Sequence, residues 1–217
     1  MSISNSRTDR ELSIDAKEFV WDNADESEAH EFLVGPILRL LASAKARSVL
    51  DLGCGNGSFT MKIASQNYDI TGCDFSQSGI ELAQRQFPEV KFFQQDVSQD
   101  LSPEHAGKYD AVISTEVIEH LLLPRKLMEN ARNALKPRGI LILSTPYHGY
   151  LKNLALALTD NFDKHWHPLR DYGHIKFFSR ATLMQMFKEH KFEQIHFETV
   201  GRIPVFARSM IVSGIKP

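Results

Sequence analysis

Apolar residues follow two alternating periods along this chain. Between Glu28 and Ala44, Phe32, Leu33, Ile37, Leu40 and Leu41 recur at helical spacing, which predicts a helix with one buried face. Ser48-Val49-Leu50-Asp51-Leu52 is instead a short apolar run ending in glycines, which predicts a buried strand. A helix over 57–66 collects Phe59, Ile63 and Ala64 on one side. The alternation continues with a strand over 68–73, a helix over 76–87 capped by Ser76, and strands over 90–94 and 109–114. Helical material to Leu135, a turn at Pro137-Arg138-Gly139 and a strand over 140–145 follow. Strand and helix in regular alternation predict an α/β fold with a parallel sheet covered on both faces.

Beyond Thr145 the pattern changes. Residues 146–178 are rich in His, aromatic and turn residues, and contain one apolar helix candidate, Leu151 to Leu158. A helix over 179–190 and strands over 192–200 and 205–212, joined by a turn with Gly201 and Pro204, close the chain. No repeat or low-complexity tract divides it. The reading is an acidic lead-in over 1–27 and a single domain over 28–217, with 146–178 as a substrate-side insert or lid.

Composition adjusts this picture in three ways. A net charge of −2 over 217 residues weighs against a DNA-binding or general RNA-binding protein. The charge is uneven, however: residues 1–31 hold nine acids and three bases, and residues 121–191 hold twelve bases and five acids. That basic half either faces an anionic substrate or lipid headgroups, or is a solvated helix face. The two cysteines, Cys54 and Cys73, fall at strand ends and read as buried thiols rather than a disulfide or zinc framework. No apolar signal core opens the chain and no apolar run reaches the length of a membrane span, so a cytoplasmic protein is expected.

The chemistry begins at Asp51-Leu52-Gly53-Cys54-Gly55-Asn56-Gly57, placed between the first strand and a helix. Ligands of open parallel sheets bind beyond the carboxyl ends of the strands, and glycines let the backbone approach them closely. A nicotinamide fingerprint wants its third glycine one residue later, where Ser58 stands. With the acid before the turn, Val49 to Gly57 resembles motif I of class I S-adenosylmethionine methyltransferases. Asp74 ends the second strand 23 residues after Asp51, where a carboxylate can accept both ribose hydroxyls, and Asp96 follows the third strand. The resemblance covers about residues 45–145. It implies a Rossmann-like sheet of seven strands in the order 3-2-1-4-5-7-6, the last antiparallel. It places Asp51, Gly53, Cys54, Gly55, Gly57, Asp74, Phe75, Asp96, Val97, Thr115 and Glu116 at the cofactor.

A second constellation follows the fourth strand. On a helical turn, Glu116, Glu119 and His120 of Glu116-Val117-Ile118-Glu119-His120 share a face at spacings of three and four. This segment resembles that of the ubiquinone-biosynthesis O-methyltransferases, and also that of small-RNA 2′-O-methyltransferases, in which two Glu, the His and a later His bind a divalent metal. His174, before Phe177-Phe178, fits the later His. Glu119, His120 and His174 are therefore catalytic candidates, the imidazoles as general bases for a hydroxyl acceptor. Glu116, Glu119, His120 and His174 together are a candidate ligand set that suits Mn, Fe, Co or Zn as well as Mg.

In the insert, His148, His165 and His167 read as surface or pocket-lining residues, since alternating loop positions point apart. Tyr147, Tyr150, Trp166 and Tyr172 are candidates to stack on a flat substrate or to pack a lid. Resemblance to the ubiquinone enzymes implies peripheral membrane contact through 150–158, against a lid helix or dimer contact from the residues alone. Phe19-Val20-Trp21 is an aromatic segment able to close over the cofactor. The leading expectation is methylation of a hydroxyl on a small or lipid-like acceptor. Its rivals are a metal-dependent RNA 2′-O-methyltransferase, an N- or C-methyltransferase, and a non-catalytic cofactor-binding partner of another protein.

Overall fold

The computed structural model describes Trp21 and residues 28–217 except 167, 170 and 171. The expected acidic lead-in apart from Trp21, including Phe19 and Val20, lies outside the described residues, as does His167.

Glu28–Ser43 forms α1, with Leu33, Ile37 and Leu41 fully buried at the predicted spacing. Then come β1 (Ser48–Leu52), α2 (Ser58–Ala64), β2 (Asp69–Asp74), α3 (Gln77–Gln86), β3 (Lys91–Gln94) and β4 (Tyr109–Thr115). After a single 3-10 turn at Ile118–His120 follow α4 (Pro124–Ala134) and β5 (Leu135–Pro146). The insert contributes α5 (Tyr150–Leu158) and α6 (Phe162–Trp166). The chain ends with α7 (Arg180–Glu189), β6 (Glu193–Val200) and β7 (Ser209–Ile215). Local chemistry fixes the ends of these elements. Ser76 caps α3 by accepting from the Gly79 amide at 3.1 Å, and Ser179 and Thr182 form a reciprocal capping box on α7.

The strands form one sheet in the order β3-β2-β1-β4-β5-β7-β6, as the resemblance implies. The first five pair in parallel, and β7 runs antiparallel to both of its neighbours. Two cores sandwich the sheet because strand residues alternate faces. Val49, Ile113 and Ile142 meet α1, α2 and α3 on one side, and Leu50, Val112 and Leu141 meet α4 and α7 on the other. Truncating a fully buried side chain such as Leu50 to Ala costs about 2–5 kcal/mol through lost transfer energy and the cavity left behind.

Three boundaries depart from the sequence reading. The turn expected at Pro137-Arg138-Gly139 is a bulge inside β5. Leu135 pairs with Tyr109 and Ile140 with Ala111, so four β5 residues stand opposite Asp110. Arg138, at φ 67°, donates to Lys216 and Gly139 accepts from it, which keeps the chain in the sheet. The last strand begins at Ser209 rather than Val205, because Pro204–Phe206 closes a 3-10 turn. His165 and Trp166 lie on α6 rather than in a loop.

This topology decides where chemistry can occur. Val200 pairs with Ser209, and Ser209 with Pro146, so the hairpin between β6 and β7 sits at the carboxyl edge of the parallel strands. That edge also holds the turn after β1 and the segment after β4, on either side of the point where strand order reverses. Among the described residues, no helix is long and apolar enough to cross a membrane.

Candidate active site

The turn after β1 is built mainly from backbone. Gly53 and Cys54 both donate to the Cys73 carbonyl, at 2.7 and 2.9 Å, which ties the turn to the end of β2. Asp74 accepts from the Gly55 amide at 2.9 Å on one oxygen and from the Ser76 amide at 2.9 Å on the other. Gly55 has φ 55°, a left-handed conformation, and a Cβ there would lie 2.5 Å from the Trp21 indole. A Cβ on Gly53 would meet Val117 at 2.5 Å, so the turn directly abuts the segment after β4. The Trp21 indole also reaches Gly79, and its amide donates to Ser78.

Asp51 is buried beneath this turn. Thr60 donates to one carboxylate oxygen at 2.7 Å, and the other is buried with no hydrogen-bond partner among the described residues. Burial pushes this carboxyl up to about 7, with Thr60 lowering it and Asp74 adding to the rise. Cys54 and Cys73 are buried thiols, pushed well above the usual range by burial. The ends of β2 and β3 lie side by side, since Gln95 donates to the Asp74 carbonyl. Phe75 is exposed there, and Val97 is buried. Asp96 is exposed and accepts from the Ser98 amide and hydroxyl.

The segment after β4 does not form the expected common helical face. Thr115 pairs with Ser144 as the last residue of β4, and Glu116 leaves the strand at φ 55°. Glu116 then turns toward β5 and β7, where Ser144 donates to it at 2.7 Å and Ser209 at 3.2 Å. Only Ile118–His120 is helical. The left-handed residue rotates the chain before the turn begins, so spacings of three and four no longer describe one face. Burial pushes the part-buried Glu116 up to about 7, against the lowering effects of the two serines and Lys152.

Glu119, His120 and His174 do come together. Their potential ligand atoms lie within 4.8 Å of one another. The two imidazoles meet edge to face at 4.9 Å, and His174 Nε2 is 3.9 Å from Glu119 Oε1. His120 Nδ1 faces the Tyr172 and Gly173 carbonyls at 2.9 and 3.1 Å. Carbonyls only accept, so Nδ1 carries the proton and Nε2 is the basic nitrogen of the neutral ring. Glu119 is 1% exposed. Thr145 donates to its Oε2, while Oε1 is buried with no hydrogen bond among the described residues. Burial and Glu116 push this carboxyl well up. Its main-chain carbonyl accepts from the Ile175 and Lys176 amides, which holds the stretch that follows His174.

Beside this cluster opens a cleft of about 490 Å³. Glu116 and His174 line it, whereas Glu119 and His120 do not. Lys152 and Leu156 of α5 and His165 of α6 form one wall, and Arg202, Phe206 and Arg208 of the β6–β7 hairpin form another. No α5 residue is buried, and Tyr150, Leu151 and Leu158 point outward to solvent. His148 is buried among His165, Trp166 and Phe177, and burial, with Lys152 adding, brings it down to about 4. Trp166 packs on Phe162 and Phe177, while Tyr150 and Tyr172 are exposed. The sequence reading missed Arg202, Arg208 and Ser209, because two arginines and a serine in a hairpin carry no periodicity that separates them from surface residues.

Residues 26–196 match a family described as "Methyltransferase domain". The ubiquinone biosynthesis O-methyltransferase of Rickettsia bellii (strain OSU 85-389) is 28% identical over 149 residues, covering 67% of this chain and 61% of that protein. The chain thus spans only 61% of that relative's length. Its counterpart in Cronobacter sakazakii is 24% identical over 203 residues, covering 90% of this chain and 83% of that protein. Among solved structures, the magnesium protoporphyrin IX methyltransferase from Synechocystis PCC 6803 with bound SAH has the same fold, with a TM-score of 0.64 at 22% identity. That match covers 85% of this chain and 82% of that one.

Proposed function

The chain belongs to the S-adenosylmethionine-dependent methyltransferase family matched over residues 26–196, and from this we propose that it methylates a hydroxyl on a small, phenol- or quinol-type acceptor with lipid-like character. The names of its relatives support the hydroxyl. The observation that carries the reading is His174, set on the wall of the cleft and backed by Glu119 and His120.

The residues at the carboxyl edge suit the cofactor. The buried, unpartnered oxygen of Asp51 suits an ammonium group, which would hold this carboxyl in its ionised form. Gly53, Gly55 and Gly57, all at positive φ, let the turn pack closely on Val117, Trp21 and Ala83, where a Cβ would clash. Asp74 has acceptor capacity beyond its two backbone amides, as the ribose hydroxyls require, and the resemblance assigns Asp96 and Val97 to the adenine.

S-adenosylmethionine supplies a methyl group already activated on a sulfonium. The protein's tasks are therefore alignment of the acceptor and removal of its proton. His174, which lines the cleft with His120 packed edge to face behind it, accepts that proton as the oxygen takes the methyl. Buried Glu119 is a positioning residue in this scheme, since its carbonyl anchors residues 175 and 176. The exposed apolar side chains of α5 suit transient contact with a membrane that delivers a lipid-tailed acceptor.

To test this, the enzyme is incubated with methyl-labelled cofactor and a panel of catechols and hydroquinones, followed by mass analysis of the products. Label on an aryl oxygen is the expected result. Label on nitrogen or carbon, or cofactor binding with no transfer, overturns the reading.

The cluster of Glu119, His120 and His174 favours one variant of this scheme. These three side chains would hold a divalent ion such as Mn, Fe, Co or Zn, which lowers the pKa of a bound hydroxyl. Elemental analysis of the purified protein before and after a chelator tests it. A stoichiometric metal, absent from His120→Ala, supports the variant, and a metal-free active enzyme excludes it.

A further inference from the structure

The acceptor cleft is unusually cationic for a site that must take a neutral phenol. Lys152 and Arg202 line it with Arg208 beside them, and Glu116 is the one carboxylate among its described lining residues. These residues come from α5 and from the two ends of the β6–β7 hairpin, so no helical or strand spacing forces them together. Lys152 Nζ donates to the Tyr147 and Ala207 carbonyls at 2.9 and 3.0 Å, which fixes the ammonium and leaves one proton to donate. Arg202 is exposed and makes no hydrogen bond or ion pair among the described residues. Arg208 lies over the Phe32 ring at 5.6 Å, an apolar floor beside the charge.

Like charges gathered in one cleft repel unless an anion offsets them. The strain is visible at Lys152, which burial, Arg202 and Arg208 bring down to about 8 although Glu116 opposes them. Glu116 compensates poorly, because its two carboxylate oxygens are already engaged by the Ser144 and Ser209 hydroxyls.

We propose that the acceptor bears an anionic group, a carboxylate or a phosphate, on the same small molecule as the hydroxyl to be methylated, and that Lys152 and Arg202, with Arg208 beside them, bind that group. The inference rests on the hydroxyl-methylation reading and narrows its substrate class. The hydroxyl faces His174 while the anion faces the hairpin.

Matched probes test it by calorimetry, with S-adenosylhomocysteine bound. Catechol is compared with 3,4-dihydroxybenzoate, and phenol with phenyl phosphate. We expect the anionic member of at least one pair to bind about tenfold or more tightly than its neutral partner, as charge-assisted hydrogen bonds would give. The pair that shows this identifies the anion. Arg202→Gln removes the preference and Arg202→Lys restores part of it. S-adenosylhomocysteine affinity stays constant in both variants, which shows that the fold is intact. Arg202 is chosen because it is exposed, whereas Lys152 also braces two carbonyls.

Equal binding within both pairs, no anionic binding at millimolar concentration, or a preference that survives Arg202→Gln overturns the proposal. A short RNA that displaces both anionic probes overturns the small-molecule assignment. Product analysis separates the two claims. An O-methylated product without anion preference removes only this inference, whereas anion preference with an N- or C-methylated product removes only the hydroxyl reading.

Discussion

The turn after β1 and the cleft beside β5, the proposed cofactor and acceptor halves of the carboxyl edge, are built on different principles. Around Gly53 to Gly57 the protein works with backbone: amides, left-handed glycines, and carboxylates at the ends of β1 and β2. Around the cleft it works with side chains sent from separate elements, Glu116, Lys152, His174, Arg202 and Arg208. Backbone geometry is determined by the sheet and tolerates little variation. Side chains on a hairpin and an insert can change without disturbing a strand. One fold can thus keep a constant donor site beside a variable acceptor site.

The largest test of this division is His174→Ala. Loss of a general base should lower turnover by about 10²- to 10⁴-fold while cofactor affinity by calorimetry holds. A fall in cofactor affinity instead would mean that the halves are not separable. Asp74→Ala is the reciprocal test. It should weaken cofactor binding by about 10- to 100-fold, the value of charge-assisted hydrogen bonds, with little change in turnover once cofactor saturates.

Gly55→Ala probes the backbone half more locally. Its positive φ and the Trp21 indole at 2.5 Å from a new Cβ both oppose the substitution. A loss of about 1–2 kcal/mol in denaturant unfolding is expected. Trp21→Ala in the same chain should recover part of it, and a strictly additive double mutant would show that the indole is irrelevant.

The smallest effect is a difference in the sign of pH dependence. Asp51, raised to about 7, loses its proton as pH climbs through that value, so binding of the cofactor's cationic amino group should strengthen from pH 6 to 7.5. Over the same range Glu116 gains negative charge, and above it Lys152 loses its proton near 8. Arg202, Arg208, His165 and His174 also face the cleft. Binding of a carboxylate acceptor, whose own charge is constant over this range, should therefore weaken as pH rises. Parallel slopes for both ligands in calorimetry would contradict the division.

The same contrast explains what the sequence made legible. The places of Asp51, the glycines and Asp74 at element ends could be read because strand, turn and helix are contiguous. The sheet order followed from the resemblance those residues carry, and β7 took its antiparallel place. Glu116 was misplaced on a helical face because one residue at φ 55° turned the chain, and no local signal announces that conformation in a glutamate. The Pro137-Arg138-Gly139 turn was rightly sensed as an irregularity, but Lys216, distant in sequence, keeps it in the sheet. The basic surplus over 121–191 was real. Most of it is spent on the surface, as with Arg125 on Glu189 and Lys126 on Asp100. Among the described lysines and arginines of that stretch only Lys152 lines the cleft, and its cationic companions come from residues 202 and 208. Convergence from separate elements is a property of the fold, and spacing along the chain does not encode it.

The two tryptophans fall one to each half, Trp21 against Gly55 and Trp166 against Phe162 and Phe177 beside the cleft. The protein therefore carries an intrinsic optical reporter at each site. A Trp166→Phe chain would fluoresce from the donor side alone, so the order in which donor and acceptor bind can be followed in real time without an added label.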